Sequence, residues 1–382
     1  MPPMSREAVL ALGRQVLDAA RRRDISGMMD LYSDDAVAIS PVFGEMKGRA
    51  AIAATWETLF TTVADFQVEI SHFLVDGERI AVMGSVAAID RLGWFGRPAT
   101  GGPINYRIML LFTVAGGKVV HDERIYDSVG VVERLEKVRV DKELKTAAEV
   151  QRALMSRTAQ HSRFCESVGD SMPCRAIGGD FFEFHELPSG EAGIVMGDVS
   201  GKGPAAALLG AMVQGMFAVE CATGDRPAAI LSRINRRLAA RGLESRFVTL
   251  IYAVLSSNGR LVYANAGHNP AVLVASDGVR RLTAGGPILG TFADAVFEEE
   301  TLQLHGGDTL VMFTDGVTEA RSATDEEFGE PRLMACLSAD AASSPGVVLK
   351  RIFTAVHEFC ERIEQSDDIT ATVTRFSDAP LG

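Results

Sequence analysis

Several absences narrow this 382-residue chain before any motif is read. There is no excess of basic charge: 38 Lys+Arg stand against 50 Asp+Glu, a formal net charge of −12. That balance works against non-specific binding to nucleic acid and to anionic membrane surfaces. Cysteines number only five, an odd count at wide spacing with no CxxC pair, so a disulfide framework is not expected. Free thiols in a reducing cytoplasm are the expectation. The first 23 residues lack the uninterrupted apolar core of a signal peptide, because Arg14, Asp18 and Arg21 break it up. One later run, Pro204 to Ala222, is long enough to span a bilayer. It contains Gln214 and Glu220 and no aromatic belt, so a buried core helix is expected instead. No Ser/His/Asp or Cys/His nucleophile pattern and no internal repeat is visible.

What is present is ordinary globular composition, 47% hydrophobic and 23% charged, at a length that suggests two or three domains. Apolar residues at helical spacing predict a helix over 5–23, and Asp24 reads as the N-cap of a second, short helix ending at Leu31. A strand near 36–41 and a helix near 49–60 follow. Four strand-like runs come next, near 64–75, 79–90, 104–115 and 118–128, with Gly turns between them. Helices followed by hairpin-joined strands imply an α+β unit with helices on one face of a sheet. From Val131 the chain has no Pro or Gly for some 30 residues and predicts a long helix over 131–160. Val131, Leu135 and Val138 form one apolar seam. Val140, Leu144, Ala147, Gln151 and Leu154 form another, out of phase with the first. One continuous coiled-coil register is therefore not available. Further strands are expected near 181–186, 191–197, 246–256, 259–265, 270–275, 308–314 and 369–376. Further helices are expected near 204–221, 226–240, 331–338 and 344–363.

Four segments of the C-terminal half carry chemistry: Ile177-Gly178-Gly179-Asp180-Phe181-Phe182, Gly197-Asp198-Val199-Ser200-Gly201-Lys202-Gly203, Phe313-Thr314-Asp315-Gly316 and Ser366-Asp367-Asp368-Ile369-Thr370. Each sets an aspartate in a tight turn or at the end of an apolar strand. Converged aspartates repel one another, and two hard divalent cations would neutralise them. All-oxygen ligation points to Mg²⁺ or Mn²⁺ rather than zinc. The diguanylate-cyclase signature fails at Phe181, and a P-loop fails at Met196 and Gly203.

These segments resemble the metal-dependent PPM serine/threonine phosphatases, in the bacterial branch typified by SpoIIE and RsbU. The resemblance covers about 165–376 and is supported by Phe247-Val248-Thr249-Leu250, Asn265-Ala266-Gly267-His268-Asn269-Pro270, Gly286-Pro287-Ile288-Leu289-Gly290 and Asp315-Gly316-Val317-Thr318-Glu319-Ala320. It implies two antiparallel sheets packed face to face and flanked by helices, and catalysis by Asp198, Asp315 and Asp367. It implies that Asp198 bridges two ions, that the Val199 carbonyl joins one shell, that Asp315 and Asp367 hold the first ion and that Asp180 serves the second. Asp368 is either a further ligand or a polar strand-start residue. Glu183 stands where relatives often have Asp, and no general acid is identified. His268 and Asn269 are expected to fix a turn. The implied substrate is a phosphorylated anti-anti-sigma protein with a STAS domain. The alternatives are a non-catalytic partner-switching scaffold with the same fold, or an N-terminal domain that is itself a ligand-binding, isomerase-like enzyme.

The N-terminal segment resembles the SnoaL-like branch of the NTF2-like superfamily. Ala19–Asp24, Met29-Asp30-Leu31-Tyr32-Ser33-Asp34-Asp35-Ala36-Val37, Gly48–Ile52 and Gly117–Val120 carry that resemblance. It implies a cone around an apolar pocket. The acid and tyrosine of isomerase-like relatives align with Ser40 and Val16, so both groups are missing there. A sensor for a small apolar ligand is then expected in place of an isomerase. Arg107 and Asp122 are the charged residues nearest the pocket. The expected organisation is a SnoaL-like sensor over 1–130, a helical linker over 131–164 that pairs two chains into a homodimer, and a phosphatase domain over 165–378.

Overall fold

The computed structural model describes residues 4–154, 158–242, 246–338, 343–361 and 363–379. The chain divides into two compact units, Met1–Glu143 and Leu144–Gly382.

In the first unit, α1 (Arg6–Arg21) starts at Ser5, whose hydroxyl accepts the Ala8 N–H. It buries Val9, Leu12, Val16, Leu17 and Ala20 on one stripe. Asp24 caps α2 (Ile25–Met29) by accepting from Gly27 N. The chain then runs β1 (Tyr32–Ser40), β2 (Gly44–Lys47), α3 (Arg49–Thr62), β3 (Val63–Asp76), β4 (Arg79–Asp90), β5 (Pro103–Ala115) and β6 (Lys118–Tyr126). The strands form one sheet in the order β2-β1-β6-β5-β4-β3, with β1 parallel to β6 and the remaining pairs antiparallel. Gly116 and Gly117, both at positive φ, make the tight β5–β6 turn. The α+β expectation holds. The short β2 was not foreseen, because Gly44-Glu45-Met46-Lys47 carries no run of β-branched residues.

α4 (Ser128–Leu154) is the long helix, and it begins three residues earlier than expected. Val131 and Leu135 are buried against Val63, Phe66, Trp94 and Ile104 of the first unit. In the second seam Leu144 is half-buried, while Val140, Ala147 and Leu154 are exposed. The expected extension to 160 does not occur. Residues 155–157 lie outside the described residues, and Ala159–His161 form a strand, β7, paired with β8 (Cys165–Met172).

The second unit continues with β9 (Phe181–Glu186), β10 (Ala192–Val199), α5 (Pro204–Cys221), α6 (Pro227–Ala239), β11 (Val248–Leu255), β12 (Arg260–Ala266), β13 (Ala271–Ala275), β14 (Gly278–Leu282), β15 (Gly285–Gly286), β16 (Glu300–Gln303), β17 (Thr309–Phe313), α7 (Asp315–Thr318), α8 (Gly329–Ser338), α9 (Pro345–Cys360) and β18 (Ile369–Phe376). Proline opens α5, α6 and α9, where its missing N–H costs nothing. One sheet runs β15-β12-β11-β10-β9 with β16 on β12; the other runs β14-β13-β17-β18-β8-β7. Phe182, Phe184, Ile194 and Met196 of the first meet Leu273, Leu310, Met312 and Phe376 of the second. α5 and α6 cover the outer face of the first sheet, and α8 and α9 that of the second. This is the expected double-sheet sandwich. α5 is the one helix, among the described residues, long and apolar enough to cross a membrane. It is packed as core. Its Gln214 donates to Glu183, and its Glu220 is paired with Arg233 and Arg237.

Candidate functional site

Antiparallel pairing carries the four aspartates to one end of the two sheets. β9 starts where β10 ends, with Phe181 opposite Gly197, so Asp180 and Asp198 share an edge. β18 starts where β17 ends, with Ala371 opposite Phe313, which does the same for Asp367 and Asp315. The sheets are tied together there. Thr314 and Thr370, from the second sheet, each donate a hydroxyl to Asp180 Oδ2 at 2.7 Å. Glycine is required on both sides: a Cβ at Gly178 would stand 2.3 Å from Asp368 Oδ2, and one at Gly316 would stand 1.9 Å from the Asp368 carbonyl. The Val199 carbonyl faces the same loop, 2.8 Å from the Cβ position of Gly179.

The electrostatics are those of crowded like charges. Burial, then the charge of Asp198, pushes Asp180 well above the ordinary carboxyl range. Burial, then Asp315, raises Asp198 to about 6, and a hydrogen bond with Asp180 pulls the other way. Asp315 is raised by burial and by Asp367. Asp180, Asp198 and Asp315 are therefore each raised in part by a neighbouring aspartate. Among the described residues, the one ammonium in contact is that of Lys202, 3.1 Å from Asp367 Oδ2 and also bonded to the Ser366 carbonyl. A set of four carboxylates and a main-chain carbonyl with so little cationic compensation fits hard divalent cations.

Asp368 has a different task. Its Oδ1 accepts from Cys174 N at 2.8 Å and its Oδ2 from Gly179 N at 2.7 Å, so it pins the loop that carries Asp180. Gln151 of α4 adds a second clamp: its Nε2 donates to the Gly178 carbonyl at 2.7 Å and its Oε1 accepts from Gly178 N at 3.3 Å. Glu183 is engaged by Gln214 and His185. The Asn265 side chain closes a turn on the His268 main chain, accepting from His268 N at 2.7 Å and donating to its carbonyl at 2.9 Å, and His268 Nδ1 bonds the Thr249 hydroxyl at 2.8 Å. Burial lowers the His268 imidazole to about 4, so it is neutral at pH 7.

Sequence reasoning missed the supports. Thr314 and Thr370 lie one residue before Asp315 and three after Asp367, and only the strand pairing aims both at Asp180. Arg175 and Arg246 flank the Gly201–Gly203 turn: Arg246 donates to the Ser200 carbonyl at 3.2 Å, and an Arg175 nitrogen lies 3.8 Å from the Cβ position of Gly203. A cleft of about 280 Å³ opens beside Gly316 and Asp367.

The first unit holds a second polar cluster. Tyr32 donates to Asp122 Oδ2 at 3.0 Å, and Arg124 reaches the same oxygen through Nε at 3.0 Å and Nη2 at 2.9 Å. The guanidinium lies over the Trp56 ring, 4.8 Å from its centroid. Asp122 Oδ1 and Trp56 Nε1 are buried without a hydrogen-bond partner. Ser40 bonds Tyr126, and Val16 is packed in the core. The aligned positions thus lack the isomerase groups, yet a tyrosine–acid pair exists elsewhere in the unit. Arg107 is exposed; Asp122 is not.

Comparison with known proteins agrees with both halves. Residues 188–377 match the family model for stage II sporulation protein E (SpoIIE), and residues 14–122 match the SnoaL-like domain. Phosphoserine phosphatase RsbU of Bacillus subtilis is 29% identical over 240 residues, which are 62% of this chain and 70% of RsbU. Protein IcfG of a Synechocystis strain is 32% identical over 205 residues, 46% of this chain; the match spans only 32% of IcfG. Among solved structures, the SiaA-PP2C domain of Pseudomonas aeruginosa superposes with a TM-score of 0.56 at 20% identity. That match covers 63% of this chain and 99% of the other, and it shows the shared sandwich fold. The chain therefore carries a SnoaL-like domain followed by a SpoIIE-type PPM phosphatase domain.

Proposed function

We propose that the chain hydrolyses phosphoserine or phosphothreonine on a protein, using Asp180, Asp198, Asp315, Asp367 and the Val199 carbonyl to hold two Mg²⁺ or Mn²⁺ ions. The observation that carries this reading is the convergence of four carboxylates at one end of the sandwich with a single lysine for compensation. Bound divalent cations would supply Lewis-acid polarisation of the phosphoryl group and of an attacking water. The chain's own residues do the rest. Thr314 and Thr370 fix the orientation of Asp180, Asp368 and Gln151 hold its loop, and Gly316 lets the Asp315 and Asp367 segments approach. Arg175, Lys202 and Arg246 surround the Gly201–Gly203 turn and offer positive charge to an arriving phosphate. The substrate we favour is a phosphorylated STAS-domain anti-anti-sigma protein, in line with the RsbU and RsbP relatives, which are named phosphoserine phosphatases. The SnoaL-like unit acts as a ligand sensor, and α4 pairs two chains through Val140, Leu144, Ala147 and Leu154.

Hydrolysis of p-nitrophenyl phosphate across a Mn²⁺ and Mg²⁺ titration tests the chemistry, and a phosphorylated STAS protein tests the substrate. Activity that survives EDTA refutes the metal mechanism. Leu144→Asp and Leu154→Asp test the pairing: unchanged mass in light scattering with unchanged activity leaves α4 a spacer.

A further inference from the structure

We infer that the outer face of α5 is an interaction surface, and that its occupant is the same helix of a second copy of this chain, packed antiparallel across a two-fold axis. α5 and α6 cover the same sheet, yet they meet water differently. α6 is amphipathic in the ordinary way: it turns Arg236 and Arg237 outward and buries Ile230, Leu231 and Ile234. α5 turns its polar side chains, Gln214 and Glu220, inward, where each has a partner. What it turns outward is apolar. Leu208 is 74% exposed and Val219 is 66% exposed, with Ala205, Gly215 and Ala218 exposed beside them. A helix that is apolar all round needs both of its faces covered, and an exposed apolar patch of this kind marks a contact surface.

The order of sizes along the stripe points to the partner. Leu208, Met212, Gly215 and Val219 follow one another at steps of four, three and four, so they stand in one row along the helix. That spacing reads the same in both directions about a point between Val213 and Gln214. Turned end for end, a second α5 sets its Val219 on Leu208 and its Gly215 opposite Met212, so that a protruding side chain meets a gap. The gap is open, because a Cβ built at Gly215 meets nothing within 4 Å. A parallel pair would set Met212 against Met212 and leave two glycines facing each other. The 18 residues of α5 make a contact roughly 27 Å long. At about 15 Å of width it covers about 400 Å² per copy, half of the roughly 800 Å² of a standard interface. A weak, concentration-dependent pair is therefore expected. The inference rests neither on the metal chemistry nor on pairing through α4.

The test uses the full chain and cysteine variants at exposed positions, with the wild type as control for the native thiols. Antiparallel pairing sets position 208 beside position 219 of the other copy and keeps the two positions 208 about 16 Å apart. A disulfide needs Cα atoms within about 7 Å. A mixture of Leu208→Cys and Val219→Cys chains should therefore link into dimers on mild oxidation at least about 10-fold more than either variant alone. Equal linkage in the single variants, or none in the mixture beyond the wild type, overturns the proposal. In sedimentation velocity, Leu208→Asp combined with Val219→Asp should raise the dimer dissociation constant about 30-fold or more, the effect of losing an interface hot spot. Both side chains are exposed in the single chain, so the fold is expected to persist. The measurement is made with and without Leu144→Asp, so that pairing through α4 is read separately. A constant unchanged in both backgrounds overturns the proposal, as does a wild type that stays monomeric at every concentration. A monomeric wild type that binds phosphatidylcholine vesicles would give the face to a lipid surface instead.

Discussion

Two of the clusters in which the chain buries acid solve the problem in opposite ways. In the SnoaL-like unit Asp122 has its own counter-ion: Arg124 grips one oxygen twice and Tyr32 donates to it as well. Burial alone would lower the Arg124 pKa, yet the charge of Asp122 holds it above its ordinary value. In the phosphatase domain, Asp180, Asp198, Asp315 and Asp367 face mostly one another. The first arrangement balances its charge within itself, although Asp122 Oδ1 keeps no hydrogen-bond partner. The second is incomplete by about the charge that bound cations would bring, and it stores its repulsion at the place where chemistry is proposed.

The sharpest way to break this contrast is Asp198→Asn. Hydrolysis should fall on the order of 10³-fold, at or beyond the loss seen when one preorganised charge-stabilising group is removed. The same change should stabilise the metal-free fold by about 1–3 kcal/mol in a denaturant titration, because it removes a repelled charge. Lost activity with lost stability would mean that the carboxylate is structural. The mirror experiment is Arg124→Met. It strands Asp122 and should cost about 3–5 kcal/mol, while Asp122→Asn with Arg124→Met should recover most of it. An Arg124→Met variant as stable as the wild type would show that the first cluster does not close its own charge.

The pH dependence separates the sites further. Asp198 is raised to about 6 from the ordinary carboxyl value near 4. The folded state thus holds that proton more tightly than the unfolded chain does. Metal-free stability should therefore decline as pH rises from about 4 through 6, and added Mg²⁺ should restore it above 6. Below 6 a proton competes with the cation, so the Mn²⁺ concentration for half-maximal activity should climb by up to about tenfold per pH unit. A flat Mn²⁺ requirement from pH 5 to 8 would break the link between the shared charge and the metal.

The strands bearing the aspartates were legible because Gly-Asp and Asp-Gly punctuate apolar runs. β9, β10, β17 and β18 fell within two residues of expectation. What stayed hidden depends on pairing across the chain. Arg124 is only two positions from Asp122, but nothing local marks the pair as buried, because Tyr32, which donates to Asp122, and Trp56, whose ring lies under Arg124, come from distant parts of the chain. The positions aligned with the isomerase groups, Val16 and Ser40, hold no acid; Asp122, named from the sequence only as a charged residue near the pocket, stands on the neighbouring strand opposite Ala38. For Asp368 the sequence left open a ligand or a polar strand-start residue; the loop folding back through Cys174 and Gly179 shows it as a loop anchor. β7 and β14 were invisible for a different reason. Ala159–His161 and Gly278–Leu282 are short edge strands with few buried residues, so they carry little hydrophobic pattern.

The smallest expected effect concerns Gln151, which sequence periodicity assigned to an apolar seam. A glutamine at such a position reads as a mild packing defect, and replacing it by leucine should then improve the seam. The structure gives it another task, since its amide satisfies both main-chain groups of Gly178, two residues before Asp180. Each such hydrogen bond contributes about 0.5–1.5 kcal/mol, and part of that goes to holding the loop for the cation. Gln151→Leu should therefore raise the Mn²⁺ requirement about 3–10-fold while leaving the melting temperature within a few degrees of wild type. Gln151→Glu keeps the acceptor and loses the donor, so it should fall between the two. If Gln151→Leu binds Mn²⁺ as tightly as the wild type, the clamp is incidental and the aspartate cluster depends on its own sheets alone.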